Sequence, residues 1–254
     1  MRRYMRARAV RRRVSDVLST LVRFAYPGRL ERNRHGIIIP ESSLSPWRYD
    51  QDFRAVYRQI DAFTLVDEMR LYELWQLTSQ LGSVPGDIVE VGVWRGGSGC
   101  LVAAASQRSG SGARVYLCDT FAGVVKASAE DPIYSGGEHG DTSPELVQSL
   151  ADRLGLENID ILAGAFPDET GTAIRDHVFK LCHLDVDVYE STKAAVEWMW
   201  PRLVDGGIIV VDDYGGDGMD GVQHAVEEVA DTPTCRMIHN LNGHAVLVKV
   251  GTSG

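Results

Sequence analysis

From Asp87 onward, short apolar runs alternate with longer amphipathic stretches, and that alternation leaves few folds open. Runs near 87–92, 114–118, 159–162, 181–186, 207–212, 235–240 and 244–250 are rich in Val, Ile and Leu and too short for helices, so they read as strands. The stretches near 97–109, 143–155, 167–178, 190–202 and 219–231 read as helices. Strands separated by helices pair in parallel, with helices on both faces. Only Leu241-Asn242-Gly243 separates the last two runs, and Asn-Gly signals a tight hairpin. The chain is therefore read as α/β: a doubly wound, mostly parallel seven-stranded sheet with a C-terminal β-hairpin.

Two further helices, Asp50 to Phe63 and Val66 to Leu81, precede Pro85-Gly86, which breaks the chain before the first strand. They predict a helical cap over 35–84, an N-terminal extension of the 85–254 α/β domain. Residues 1–34 form a basic arm, with eleven Arg against Asp16 and Glu31. The net charge is −9, so the arm's +9 leaves −18 on the remainder, which argues against nucleic acid on the main domain. Val10, Val14, Val17, Leu18, Leu21, Val22 and Ala25 fit one apolar helical face. Docking onto the acidic body of a second subunit is the preferred reading, hence a homo-oligomer; an interfacial membrane helix and a disordered start are the alternatives. Polar residues interrupt any secretory core in the arm, and no run of 18 apolar residues predicts a transmembrane helix. Cys100, Cys118, Cys182 and Cys235 show no paired spacing and read as buried thiols of a cytoplasmic protein.

The chemistry concentrates at strand ends. Asp185 and Asp187 follow one apolar run, and Asp212 and Asp213 follow another. If those strands are neighbours, four carboxylates converge, which is costly without a cation or a proton among them. Oxygen ligands with no matching Cys or His set suit Mg²⁺ or Ca²⁺ better than Zn²⁺. Strand-end caps are the competing reading for any one Asp; two pairs at two strand ends favour a site. As strand residues two apart, Asp185 and Asp187 would share one face.

Glu90-Val91-Gly92-Val93-Trp94-Arg95-Gly96-Gly97 links the first strand to a helix, the strand–glycine turn–helix layout of a nucleotide-type cofactor site. Its G-x-x-x-G-G spacing is neither the dinucleotide pattern nor a phosphate-binding loop, which weighs against NAD and ATP. Glu90 suits a cofactor that carries an ammonium group. A tight turn without a ligand remains the alternative. Asp119, at the end of the second strand, stands where ribose hydroxyls are accepted. It follows Gly92 by 27 positions, and Ser109-Gly110-Ser111-Gly112 accounts for the added length. The stretch 124–143, poor in apolar periodicity, reads as a substrate lid. His139 within it is either a substrate contact or an ordinary loop histidine.

A strand–helix sheet closed by a hairpin is, by analogy, the layout of class I methyltransferases. Residues 87–97, Asp119-Thr120-Phe121-Ala122-Gly123, Leu184-Asp185-Val186-Asp187-Val188-Tyr189, Pro201-Arg202-Leu203 with Gly206-Gly207, and Asp212-Asp213-Tyr214 together resemble the macrocin/mycinamicin O-methyltransferase family. The resemblance covers roughly residues 60–250. It implies S-adenosylmethionine as cofactor and a divalent metal, with sugars of bacterial natural products as acceptors. Carried over, Glu90, Gly92, Trp94, Arg95, Gly96 and Gly97 would hold the methionine end. Asp119, Thr120 and Phe121 would hold the ribose and adenine side, and Gly164 and Phe166 would line the adenine. Thr64 belongs to a segment resembling the helix that closes over the cofactor. Asp185, Asp212 and Asp213 would ligate the metal and Asp187 would be the general base, with His139 as the other candidate for the proton. Val124-Val125 and the lid depart from the family pattern, and the basic arm has no counterpart in it.

The expected activity is therefore Mg²⁺-dependent methylation of a hydroxyl on a sugar or glycosylated natural product. A catechol or phenol O-methyltransferase is the first alternative. A non-catalytic, S-adenosylmethionine-binding docking protein is the second.

Overall fold

The computed structural model describes residues 43–251, together with Val14, Val17, Leu18 and Leu21. Those four are helical and exposed; the rest of the expected basic arm lies outside the described residues. The chain divides into two compact units, Met1–Ser45 and Pro46–Gly254.

The second unit is built on seven strands: β1 (Asp87–Val91), β2 (Val115–Asp119), β3 (Ile159–Ala163), β4 (Phe179–Leu184), β5 (Leu203–Val211), β6 (Cys235–His239) and β7 (Ala245–Lys249). Their order across the sheet is β3-β2-β1-β4-β5-β7-β6. The pairs from β3 to β5 are parallel; β7 runs antiparallel to both β5 and β6. The strand order reverses between β1 and β4, and in open α/β sheets ligands bind outside the strand ends at that point.

Six helices flank the sheet: α1 (Gln51–Ile60), α2 (Glu68–Gln80), α3 (Gly97–Arg108), α4 (Pro144–Leu154), α5 (Tyr189–Met199) and α6 (Asp220–Ala230). Asp50 caps α1, Asp67 caps α2 and Ser143 caps α4, each accepting backbone N–H bonds that the first turn leaves free. The core has two layers. On one face Ile88, Leu181, Val210 and Val246 pack with residues of α1 to α4; on the other Val89, Cys182, Leu184 and Val211 pack with α5 and α6. Leu71, Leu74 and Trp75 of α2 are buried, each stabilising by roughly 1.5–3 kcal/mol. Helix α2 is thus a fixed part of this unit. All four cysteines are buried and free. No helix among the described residues is long and apolar enough to cross a membrane.

Two expectations change. The stretch 167–178 is not a helix but turns with one 3-10 segment, Gly171–Ile174. Gly171 has poor helix propensity and packs against Pro167 and Trp198. Strand β4 ends at Leu184, so Asp185 and Asp187 lie beyond the strand and do not share a face by strand alternation. Asp187 instead turns through a left-handed residue, φ +65°, closed by Val188 N–H donating to Val186 O at 2.8 Å.

Candidate active site

A cleft, open at its mouth, lies over the ends of β1, β2, β4 and β5. Its lining includes Thr64, Gly92, Trp94, Asp119, Thr120, Gly164 and Phe166 among the residues expected at a cofactor, and His139, Asp185, Asp187, Asp212 and Asp213 among those expected at a reaction. Among the described residues six non-glycines have left-handed backbone, and four of them, Trp94, His139, Asp187 and Asp213, line this cleft. Such conformers cost energy and persist where the surroundings hold them, which concentrates them at functional sites.

The glycine turn is held from two sides. Asp119 Oδ2 accepts the backbone N–H groups of Val93 (2.6 Å) and Trp94 (2.9 Å), while its Oδ1 accepts that of Phe121 (2.7 Å). Both lone pairs of Oδ2 are thus engaged, and Oδ1 retains its second for a ribose hydroxyl. Gly92 lies so close to β4 that an added Cβ would stand 1.7 Å from Asp185 O. Its lack of a side chain therefore serves the approach of two strand ends rather than that of a ligand. Gly96 and Gly97 face protein as well: an added Cβ would meet Val147 on α4 in one case and Phe63 and Thr64 in the other. Neither glycine lines the cleft, nor do Arg95, Phe121 and Glu90. Arg95 turns outward to pair with Asp141 and stacks over Trp94.

Glu90 is wholly buried on β1 and contacts His183 Nδ1 on β4 at 2.7 Å. The strand register explains the pairing, since Glu90 sits beside His183. Alternation explains the face: the period that buries Ile88, Leu181, Val210 and Val246 also places Glu90, His183, Asp212 and His244 two residues further along or back. Sequence reasoning missed His183 and His244, although this period-2 signal carries both.

The four aspartates are together, in two sets. Asp185, Asp187 and Asp213 each bring an oxygen within 4.8 Å of one another. Burial, then Asp212 and the other neighbouring carboxylates, pushes the Asp185 carboxyl well up. Burial and Asp213 push Asp187 to about 7. Burial and Asp212 also raise Asp213. The donors are all hard oxygens, a set that fits a divalent cation of the Mg²⁺ type. Asp212 turns away towards positive partners. Arg70 Nη1 donates to both Asp212 oxygens at 2.7 Å and to Asp213 Oδ1 at 2.9 Å, and His244 Nε2 lies 2.7 Å from Asp212 Oδ1. Burial alone would raise Asp212; His244 and Arg70 outweigh it and hold the carboxyl low. His183, Asp212 and His244 form a second close group, but Arg70 supplies the positive charge there.

The expected lid contributes Tyr134 and His139 to the cleft wall. Tyr134 donates its hydroxyl to Asp187 Oδ1 at 2.9 Å, and His139 meets both Trp94 and Tyr134 at ring distances of 6.4 Å. The segment is pinned: Trp94 Nε1 donates to Asp141 (2.7 Å), and Asp131 accepts Tyr189 N–H (2.8 Å). Arg70, which belongs to the segment resembling the closing helix, and Tyr134 of the lid are thus two further site residues whose contacts with the aspartates the sequence did not indicate.

A model of the macrocin-O-methyltransferase (TylF) family matches residues 41–242. The chain is 34% identical over 175 residues to the 8-demethyl-8-(2,3-dimethoxy-alpha-L-rhamnosyl)-tetracenomycin-C 4'-O-methyltransferase of Streptomyces olivaceus, spanning 64% of this chain and 67% of that protein. It is 31% identical over 169 residues to the demethyldecarbamoylnovobiocin O-methyltransferase of Streptomyces niveus, spanning 61% of this chain and 63% of that protein. The matched region is thus about two thirds of these relatives' length. The solved structure of the O-methyltransferase NovP superposes with a TM-score of 0.66 at 25% identity, covering 74% of this chain and 83% of that one. The sheet is that of the class I methyltransferases.

Proposed function

The chain belongs to the TylF macrocin-O-methyltransferase family, and we propose that it transfers the methyl group of S-adenosylmethionine to a hydroxyl of a glycosylated natural product, with Mg²⁺ or a similar divalent cation at the aspartates. The observation that carries this reading is the meeting, in one cleft, of a β1 glycine turn fixed by Asp119 with four carboxylates at the ends of β4 and β5. The sugar acceptor is inferred from the tetracenomycin relative, which is named for methylating a rhamnosyl compound.

Methyl transfer is an in-line displacement, so the protein must align donor and acceptor and make the acceptor oxygen nucleophilic. Asp119 accepts a ribose hydroxyl with the spare lone pair of Oδ1. Gly164 and Phe166 flank the adenine, and Thr64 closes the cleft from the α2 side. Glu90 acts from beneath the floor, its negative charge favouring the ammonium end of the cofactor. When bound, the cation supplies Lewis acidity that lowers the acceptor hydroxyl's pKa. Asp185, Asp212 and Asp213 would hold the cation, the last two in competition with Arg70. Asp187 takes the acceptor's proton as general base. Tyr134 already places an O–H donor on Asp187 Oδ1, which marks where an acceptor hydroxyl has room to donate.

Calorimetry with S-adenosylhomocysteine, and methyl transfer to a panel of glycosides and phenols with and without EDTA, test the reading. Binding of the cofactor product, transfer to a glycoside and recovery of EDTA-inhibited activity with Mg²⁺ are expected. Turnover unaffected by exhaustive chelation would remove the cation from the mechanism. Transfer to phenols alone would replace the sugar acceptor.

A further inference from the structure

The β6–β7 hairpin takes no part in the chemistry above, yet its turn ends against the aspartates. Glu73 lies on α2, one position beyond the Leu71-Tyr72 pair that follows Arg70. Its carboxylate accepts Asn242 Nδ2 at 2.8 Å, also accepts the Asn240 amide, and contacts His244 Nδ1 at 2.5 Å. The other side of the same ring faces the site, with Nε2 at 2.7 Å from Asp212 Oδ1. That contact lies off the line of the ring N–H and is a close polar approach rather than a well-aligned hydrogen bond. His244 is fully buried and Asp212 nearly so.

A buried carboxylate–imidazole–carboxylate row is a costly way to hold a hairpin, because apolar residues of similar volume commonly do so at least as well. What the row does that apolar packing cannot is set a polar partner against one oxygen of a carboxylate and leave the other without it. With Oδ1 set by His244, Asp212 keeps Oδ2 as the oxygen whose contact is to Arg70 alone. Residues that orient a metal's ligands in this manner govern affinity without touching the ion. We propose that His244, itself oriented by Glu73, is a positioning residue that sets Asp212 to present Oδ2 to the divalent cation. The inference rests on the cation reading given above.

The test uses Mn²⁺ as the probe, followed by calorimetry and by electron paramagnetic resonance, on the full chain with S-adenosylhomocysteine present. In His244→Asn the amide replaces Nδ1, keeping Glu73 but losing Asp212. In His244→Gln the longer amide reaches the place of Nε2. His244→Asn should weaken Mn²⁺ binding by about 10–100-fold, while His244→Gln stays within about threefold of the wild type. Affinity for S-adenosylhomocysteine should be unchanged in both. Should His244→Asn fail to fold, Glu73→Gln carries the same test: it leaves the imidazole in place, keeps an acceptor on Nδ1 and should weaken Mn²⁺ severalfold. Wild-type Mn²⁺ affinity in the variant tested overturns the proposal. So does an equal loss of Mn²⁺ and S-adenosylhomocysteine affinity in Asn and Gln variants alike, the mark of a purely structural role. If the wild-type protein binds no Mn²⁺, the cation reading fails and this inference falls with it. If the wild type binds it and His244→Asn binds it equally well, only this inference fails.

Discussion

Replacing Gly92 with Ala tests whether the cleft depends on backbone contact between two strand ends. Gly92 has φ +84°, and an added Cβ would stand 1.7 Å from Asp185 O and 2.6 Å from its carbonyl carbon. Two costs combine. The left-handed conformation costs an L-residue roughly 1–2 kcal/mol. The clash is against backbone, so no rotamer change relieves it, and forcing packed groups apart typically costs about 1–3 kcal/mol. The expected loss is therefore about 2–5 kcal/mol, against the ~5–15 kcal/mol that stabilises a typical domain. At about 2–4 °C per kcal/mol for a unit of this size, Tm should fall by roughly 4–20 °C. Gly112→Ala is the control: φ is +67°, and nothing lies within 4 Å of the added Cβ. It should cost only the conformational part, about 1–2 kcal/mol. Urea denaturation of both variants separates the terms. The strand end displaced in Gly92→Ala carries Asp185, so that variant should also lose affinity for Mn²⁺ and for S-adenosylhomocysteine, while Gly112→Ala keeps both. Equal destabilisation by the two substitutions would refute the steric argument.

Asp187→Asn keeps the shape of the side chain but cannot accept a proton. Turnover should fall by about 10²–10⁴-fold with Mn²⁺ and S-adenosylhomocysteine titrations unchanged; loss of Mn²⁺ binding as well would make Asp187 a ligand and leave His139 as the base. In metal-free protein the Asp187 carboxyl is raised to about 7, above an unfolded value of ~3.9. The folded state then binds the extra proton between those values, so stability should fall as pH rises from about 4 to about 7. Denaturation midpoints followed across that window should show the slope, and saturating Mg²⁺ should flatten it; a slope that Mg²⁺ leaves untouched would place the cation elsewhere. Tyr134→Phe removes a donor that favours the Asp187 carboxylate. The acid limb of the pH–rate profile should move up by roughly half to one pH unit, the equivalent of a hydrogen bond worth about 1 kcal/mol, and an unmoved limb would separate Tyr134 from the base. Arg70→Met removes the guanidinium from Asp212 and Asp213, so Mn²⁺ should bind about tenfold more tightly or better; weaker binding would make Arg70 a support of the site rather than a competitor.

What the sequence reveals, and what it hides, follows from how local each interaction is. The central strands are legible because a parallel strand buried on both faces reads as a continuous Val, Ile and Leu run, as in Ile208–Val211; the last two are legible from the Asn-Gly turn between them. The glycine turn and the aspartate pairs are legible because each follows such a run and must fall at the edge where the sheet ends. Helix 167–178 is misread because spacing was weighed there over the poor propensity of Gly171. The placement of Asp187 is misread because its left-handed backbone leaves no mark on a pattern of apolar residues. Arg70 and Asp212 are 142 residues apart, and Glu73 and His244 are 171 apart. No periodicity connects them; only the docking of α2 over the ends of β5 and β7 does. Yet half of that arrangement is written in the strands. In Ile88-Val89-Glu90, Leu181-Cys182-His183 and Val210-Val211-Asp212 an apolar residue is followed, two positions on, by an ionisable one, and in His244-Ala245-Val246 the order is reversed because β7 runs the other way. Read as four strands side by side, these triplets place an acid, a histidine, an acid and a histidine along one buried edge. A polar row of that kind must be mutually paired, or answered from outside the sheet, to be tolerated in a core. The helix that covers it then has to carry complementary charge, which Arg70 and Glu73 supply one turn apart.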